Sequence, residues 1–129
     1  MRLLSFVVLA GIVFGAPEPK YEMTTYALGI LRKGAAWTAA DTPETRSLQA
    51  AHMANVQKMA ATGKLIVAGP MGDDGDLRGV FIFKEATPEE ARAMMAADPA
   101  VKAGRFISEV HAWFAAAGLK VNPPKEAPH

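Results

Sequence analysis

The side chains able to move a proton or hold a metal are few. The 129 residues contain three histidines, thirteen acidic residues and no cysteine. Without cysteine there is no thiolate nucleophile, no disulfide and no Cys-based zinc or iron–sulfur site. His52 is the most informative of the remainder. Leu48, His52, Val56 and Met59 recur at helical spacing, so the imidazole shares an apolar face that must point at a core. A carboxylate bonded to one ring nitrogen would fix the tautomer and leave the other nitrogen to take or give a proton. That is the orienting half of a catalytic His–Asp pair, without a nucleophile. The same placement also fits a core histidine that is merely hydrogen-bonded, and spacing alone leaves both readings open.

Asp98 precedes Pro99, a pattern that caps a helix and needs no chemistry. His111 lies two positions before Trp113 in a strand-like stretch, hence on the same face. It either borders a cleft or sits at an interface or surface. Gly69-Pro70 shapes a strand exit, and its backbone is placed to border a cleft. Asp73, Asp74 and Asp76 lack the spacing and closing glutamate of a calcium loop. Residues 72–75 lack the helix start of a phosphate loop. No H-x-x-x-H pair occurs, so neither a metal nor another cofactor is expected.

These residues need elements to position them. Residues 21–31 carry aromatic and β-branched side chains and read as a strand. Thr42-Pro43-Glu44 opens a helix that Thr62-Gly63 closes. Residues 64–69 and 77–84 read as two strands of a hairpin joined by a polar turn. Thr87-Pro88-Glu89-Glu90 opens a second helix, with Thr87 and Glu90 spaced as a reciprocal capping box. The helix reaches about Ala97, and Asp98-Pro99 begins a short turn to Gly104. Residues 105–114 form the last strand. The order βαββαβ is the ferredoxin-like α+β arrangement, a four-stranded antiparallel sheet with two helices on one face. The other face is then uncovered. Phe81, Phe83, Ile107 and Trp113 are expected to make it apolar enough to pair with a second copy, giving a homodimer.

Composition narrows the partners. Half of the residues are hydrophobic, enough for one core but too little for two. The net charge of +1 falls to zero if residues 1–15 are removed, because Arg2 is the one charged residue there. A neutral domain has no electrostatic footprint for nucleic acid and no polybasic run for an anionic membrane. A small organic ligand is the expected partner. Residues 1–15 read as a secretory signal peptide: Arg2, an apolar run over residues 3–14, and small residues before Ala16-Pro17. The run is shorter than the roughly 20 residues of a spanning helix, so no stable membrane anchor is expected. The alternative is an over-long gene start ahead of a cytoplasmic domain. Export would place the protein in the periplasm or outside the cell. Residues 16–20 then form a linker, 21–120 the domain and 121–129 a loose tail.

Several pieces together resemble the YciI-like (YCII-related) family. They are His52, Ala68-Gly69-Pro70, Asp74-Gly75 with Gly79, Glu89-Glu90-Ala91, Asp98-Pro99, Lys102-Ala103-Gly104 and the run from Glu109 to Trp113. The resemblance implies a dimeric α+β barrel, in which two such sheets close on each other. It also implies a histidine–aspartate pair at a cleft, His52 and Asp98 here; Gly69, Pro70 and His111 are the candidate residues beside it. Dehydrochlorination of a chlorinated hydroxyquinol is one activity attributed to the family. The expectation is therefore a cofactor-independent lyase- or isomerase-type enzyme, or else a small-ligand-binding or structural dimer. The leader departs from the cytoplasmic relatives that the resemblance brings with it.

Overall fold

The computed structural model describes residues 11, 15–18, 20–123, 125 and 127–128. The apolar run of the expected leader lies outside these residues, apart from Gly11. Among the described residues, no helix is long and apolar enough to cross a membrane.

The chain runs β1 (Met23–Lys33), α1 (Pro43–Ala61), β2 (Leu65–Pro70), β3 (Leu77–Phe83), α2 (Pro88–Ala96), α3 (Pro99–Lys102) and β4 (Phe106–Ala116). The strands form one antiparallel sheet in the order β2-β3-β1-β4. This is the ferredoxin-like α+β fold expected from the sequence. The stretch after Asp98 is a short helix rather than a turn.

The helix starts are set by side chains. Thr42 and Thr45 form a reciprocal capping box at α1: the Thr42 hydroxyl accepts from the Thr45 N–H at 3.2 Å, and the Thr45 hydroxyl accepts from the Thr42 N–H at 2.9 Å. Thr87 caps α2 by accepting from the Glu90 N–H at 3.1 Å. The Glu90 carboxylate does not return the bond that its spacing led us to expect. It pairs with Lys64 Nζ at 2.5 Å instead. Gly63, past the end of α1, takes φ +76°, a left-handed conformation that costs glycine nothing.

The covered face of the sheet holds the core. Ala27 and Leu31 of β1, Phe81 and Phe83 of β3, and Phe106 and Val110 of β4 are buried there. Met59 of α1 and Met95 of α2 close over them. Phe81 and Phe83 therefore belong to the helix-covered side, correcting their expected place on the open face. The alternation of the strand decides this: Val80 and Ile82 take the open side, with Ile107 and Trp113 of β4. Gly29 of β1 leaves room for Met95, whose sulfur lies 2.3 Å from where a Cβ would stand.

One irregularity bears on function. Leu31 pairs with Gly79, but the next residue, Arg32, pairs with Leu77. Arg78 is the extra residue of a β-bulge, a feature that re-aims a side chain out of strand alternation.

Candidate active site

Helix α1 lies over the sheet and delivers His52 inward, between Gln49 and Met53 at the rim and Val56 further in. The imidazole is 9% exposed and packs against two rings. Phe106 lies at a centroid distance of 5.5 Å, and Phe81 is edge-on at 6.4 Å. Its Nδ1 is hydrogen-bonded to Asp98 Oδ2. Asp98 is 2% exposed, and its other oxygen accepts from the Ala100 N–H at 2.8 Å, capping α3. The carboxylate thus serves two roles with two oxygens. One begins a helix and the other orients an imidazole. The residues are 46 apart in sequence, so the contact depends on α1 and α3 meeting above the sheet.

Because an ionised carboxylate only accepts, Nδ1 carries the proton of that bond. Nε2 is then the nitrogen with the free lone pair. Among the described residues it has no protein partner, and it is not among the sealed polar atoms. The His52 side chain lines a cavity of about 180 Å³ between α1 and the β2–β3 hairpin. Leu31, Phe81 and Phe106 form an apolar floor, and Ala68, Gly69 and Pro70 form the strand-side wall. Gly79 permits that wall to close up: a Cβ there would stand 3.3 Å from the Gly69 carbonyl. An engineered apolar cavity of about 150 Å³ holds benzene, so this one has room for a molecule of about one ring.

The structure brings together His52, Asp98, Gly69 and Pro70. It does not bring His111 to them. His111 pairs with Leu28 on the open face of the sheet, its side chain is 59% exposed, and Nε2 lies 3.4 Å from Glu109 Oε2. The expectation that it borders the cleft is corrected by the register of β4. Phe106 and Val110 take the covered face, so odd-numbered neighbours such as His111 point the other way. On that outer face the Arg32 guanidinium, bonded to Glu109 at 2.6 Å, holds the Glu109 carboxyl below the usual range, and His111 adds to the effect.

Two polar residues of the cavity carry no signal in the sequence reading. Gln49 lies one helical turn before His52 at the rim. Arg78 enters through the bulge, its side chain 13% exposed. Its Nε donates to the Leu77 carbonyl at 3.1 Å, and Nη2 donates to the Asp73 carbonyl and, at 3.4 Å, to the Asp73 carboxylate. Its guanidinium carbon stands 5.7 Å from the Trp37 ring centroid. Among the described residues there is no cluster of three or more His, Cys, Asp or Glu that could hold a metal ion.

The family model of the YCII-related domain matches residues 25–113, which span most of β1, both sides of the cavity and most of β4. Among solved structures, the chain is similar to 5-chloro-2-hydroxyhydroquinone dehydrochlorinase from Burkholderia phenoliruptrix, determined in complex with 2,5-dihydroxybenzoquinone. The identity is 27%, covering 67% of this chain and 92% of that one, with a TM-score of 0.48. The search of curated proteins gives no match.

Proposed function

We propose that this chain, which belongs to the YCII-related domain family, binds a small organic molecule beside His52 and moves a proton on it. The observation that supports this reading is the direction of the imidazole. Nδ1 is tied to a buried carboxylate, while Nε2 is unpaired among the described residues on a ring that lines a mostly apolar hollow of one-ring size. In this reading Nε2 takes a proton from a carbon of the substrate, and the Asp98 carboxylate stabilises the imidazolium that forms. The electron pair left on the substrate then expels a leaving group in an elimination. In an isomerisation it is reprotonated elsewhere by the same imidazolium. Neither outcome requires a covalent nucleophile.

The test is turnover of small phenolic and lactone compounds by the wild type and His52→Ala, with folding followed by circular dichroism. Loss of a positioned acid–base group is expected to lower kcat by about 10²- to 10⁴-fold while the fold persists. Turnover that survives the substitution refutes the assignment. Binding without turnover in either protein would make the cavity a ligand-binding site.

Export and dimerisation belong to the same proposal. The leader predicts a mature protein that starts near Ala16 in an oxidising compartment; N-terminal sequencing of the exported protein tests it, and an intact Met1 on cytoplasmic material refutes it. The open sheet face carries Val80, Ile82, Ile107 and Trp113, the last two 53% and 39% exposed. A second copy covering that face predicts a dimer in sedimentation. A monomer at micromolar concentration refutes it.

A further inference from the structure

Among the described residues, one cationic side chain lines the cavity, and the proton-transfer reading does not use it. Strand alternation would send Arg78 to the open face with Val80 and Ile82. The bulge turns it to the covered side instead, where it lines the same hollow as His52. Its guanidinium is held on three sides, by the Leu77 carbonyl, by Asp73 and by the face of Trp37. Those contacts employ Nε and Nη2. Nη1 has no partner among the described residues and is not a sealed atom. The Asp73 carboxylate that approaches at 3.4 Å is 78% exposed, so solvent screens much of its charge. The Arg78 side chain is 13% exposed, and its charge acts from inside the wall. A guanidinium fixed in this way has lost its rotamer freedom before any ligand arrives, which strengthens what its remaining N–H groups hold.

We infer that Arg78 is a binding residue for an anionic oxygen, and that the ligand of this cavity is a one-ring organic anion, a carboxylate or an ionised phenol or enol. The inference rests on the proton-transfer reading only for the identity of the cavity. The anion lies against Nη1, the ring rests on Leu31, Phe81 and Phe106, and the carbon that loses its proton faces His52 Nε2. The same cation disperses the negative charge that proton removal places on a conjugated substrate, so binding and chemistry draw on one group. Arginine suits the task better than lysine because its planar fork matches a carboxylate.

The experiment compares near-isosteric pairs that differ in charge: benzoate with benzamide, and 2-hydroxybenzoate with 2-hydroxybenzamide. Binding to the full chain is followed by calorimetric titration. The wild type is expected to prefer each anion over its amide by about tenfold or more, with a preference that weakens as salt is raised. Arg78→Gln is expected to bring the anions down to the affinity of the amides and to leave the amides unchanged, while Arg78→Lys recovers part of the preference. His52→Ala is expected to keep the preference while turnover is lost. Equal affinity of anion and amide in the wild type overturns the inference. So does an equal loss of both in Arg78→Gln, or no binding of any probe up to about 10 mM. The two readings fail separately. An anion preference with turnover untouched by His52→Ala removes the proton-transfer reading alone. Turnover that depends on His52 without any anion preference removes the inference alone.

Discussion

Replacing Asp98 by asparagine or by alanine separates its two roles. In Asp98→Ala the Ala100 N–H loses its cap, which costs about 1 kcal/mol. The His52 Nδ1–H loses its partner in a place where the aspartate side chain is 3% exposed, so water does not readily replace it. An unsatisfied buried donor costs a further 1–3 kcal/mol or so. The sum is about 2–4 kcal/mol, which for a domain of this size lowers Tm by roughly 10–25 °C. Asp98→Asn behaves differently. Its amide oxygen can keep the Ala100 N–H, but the NH₂ group then faces His52 Nδ1, which must become the acceptor. The ring proton moves to Nε2. The cost in stability is then about 1 kcal/mol, because a charge-assisted bond becomes a neutral one. The lone pair facing the cavity is gone, and kcat falls far more than stability does. Urea unfolding gives the free energies, and nitrogen NMR of labelled histidine gives the tautomer. A wild-type tautomer in Asp98→Asn would refute the reasoning, as would a loss below about 1 kcal/mol in Asp98→Ala.

Three further outcomes test the frame that carries the site. Gly34→Ala is expected to destabilise by about 1–3 kcal/mol, since its Cβ would stand 2.0 Å from the Gly104 carbonyl oxygen and backbone must shift; an unchanged Tm counts against that close approach. Phe83, 0% exposed at the end of β3, should cost about 3–5 kcal/mol as alanine in urea unfolding, and a loss under about 1 kcal/mol would mean the core is not built around it. The Glu109 carboxyl is held low by Arg32, so its contribution is present above the usual glutamate value of about 4.3 and is lost as pH falls through the depressed folded value. Glu109→Gln should therefore flatten the acid side of the stability–pH curve, and an unchanged acid slope in thermal melts at several pH values argues against the pair.

How much of this was legible in advance depended on the range of the interaction. The starts of both long helices were written locally, in Thr42-Pro43 and Thr87-Pro88, because capping needs only residues within one turn. The element order followed from hydrophobic periodicity over short windows. That Glu90 makes no return bond was not legible, because Lys64, just ahead of β2 and distant in sequence, takes the same carboxylate. Phe81 and Phe83 show the limit of alternation. Val80 and Ile82 are as apolar as they are, so pattern could not say which pair faces the helices.

The candidate site divides in the same way. Sequence by itself determined that His52 lies on an inward helix face and that Asp98 caps whatever follows it, since both depend on neighbours along the chain. It also carried the family, through pieces whose order and spacing run from His52 to Trp113, within the residues 25–113 that the family model matches. Only the tertiary structure decided that the two side chains meet, that the imidazole lines a hollow, and that His111 faces away from it. It alone decided that Arg78 enters the cavity. That outcome depends on a one-residue mismatch between β1 and β3, which neither strand encodes without the other.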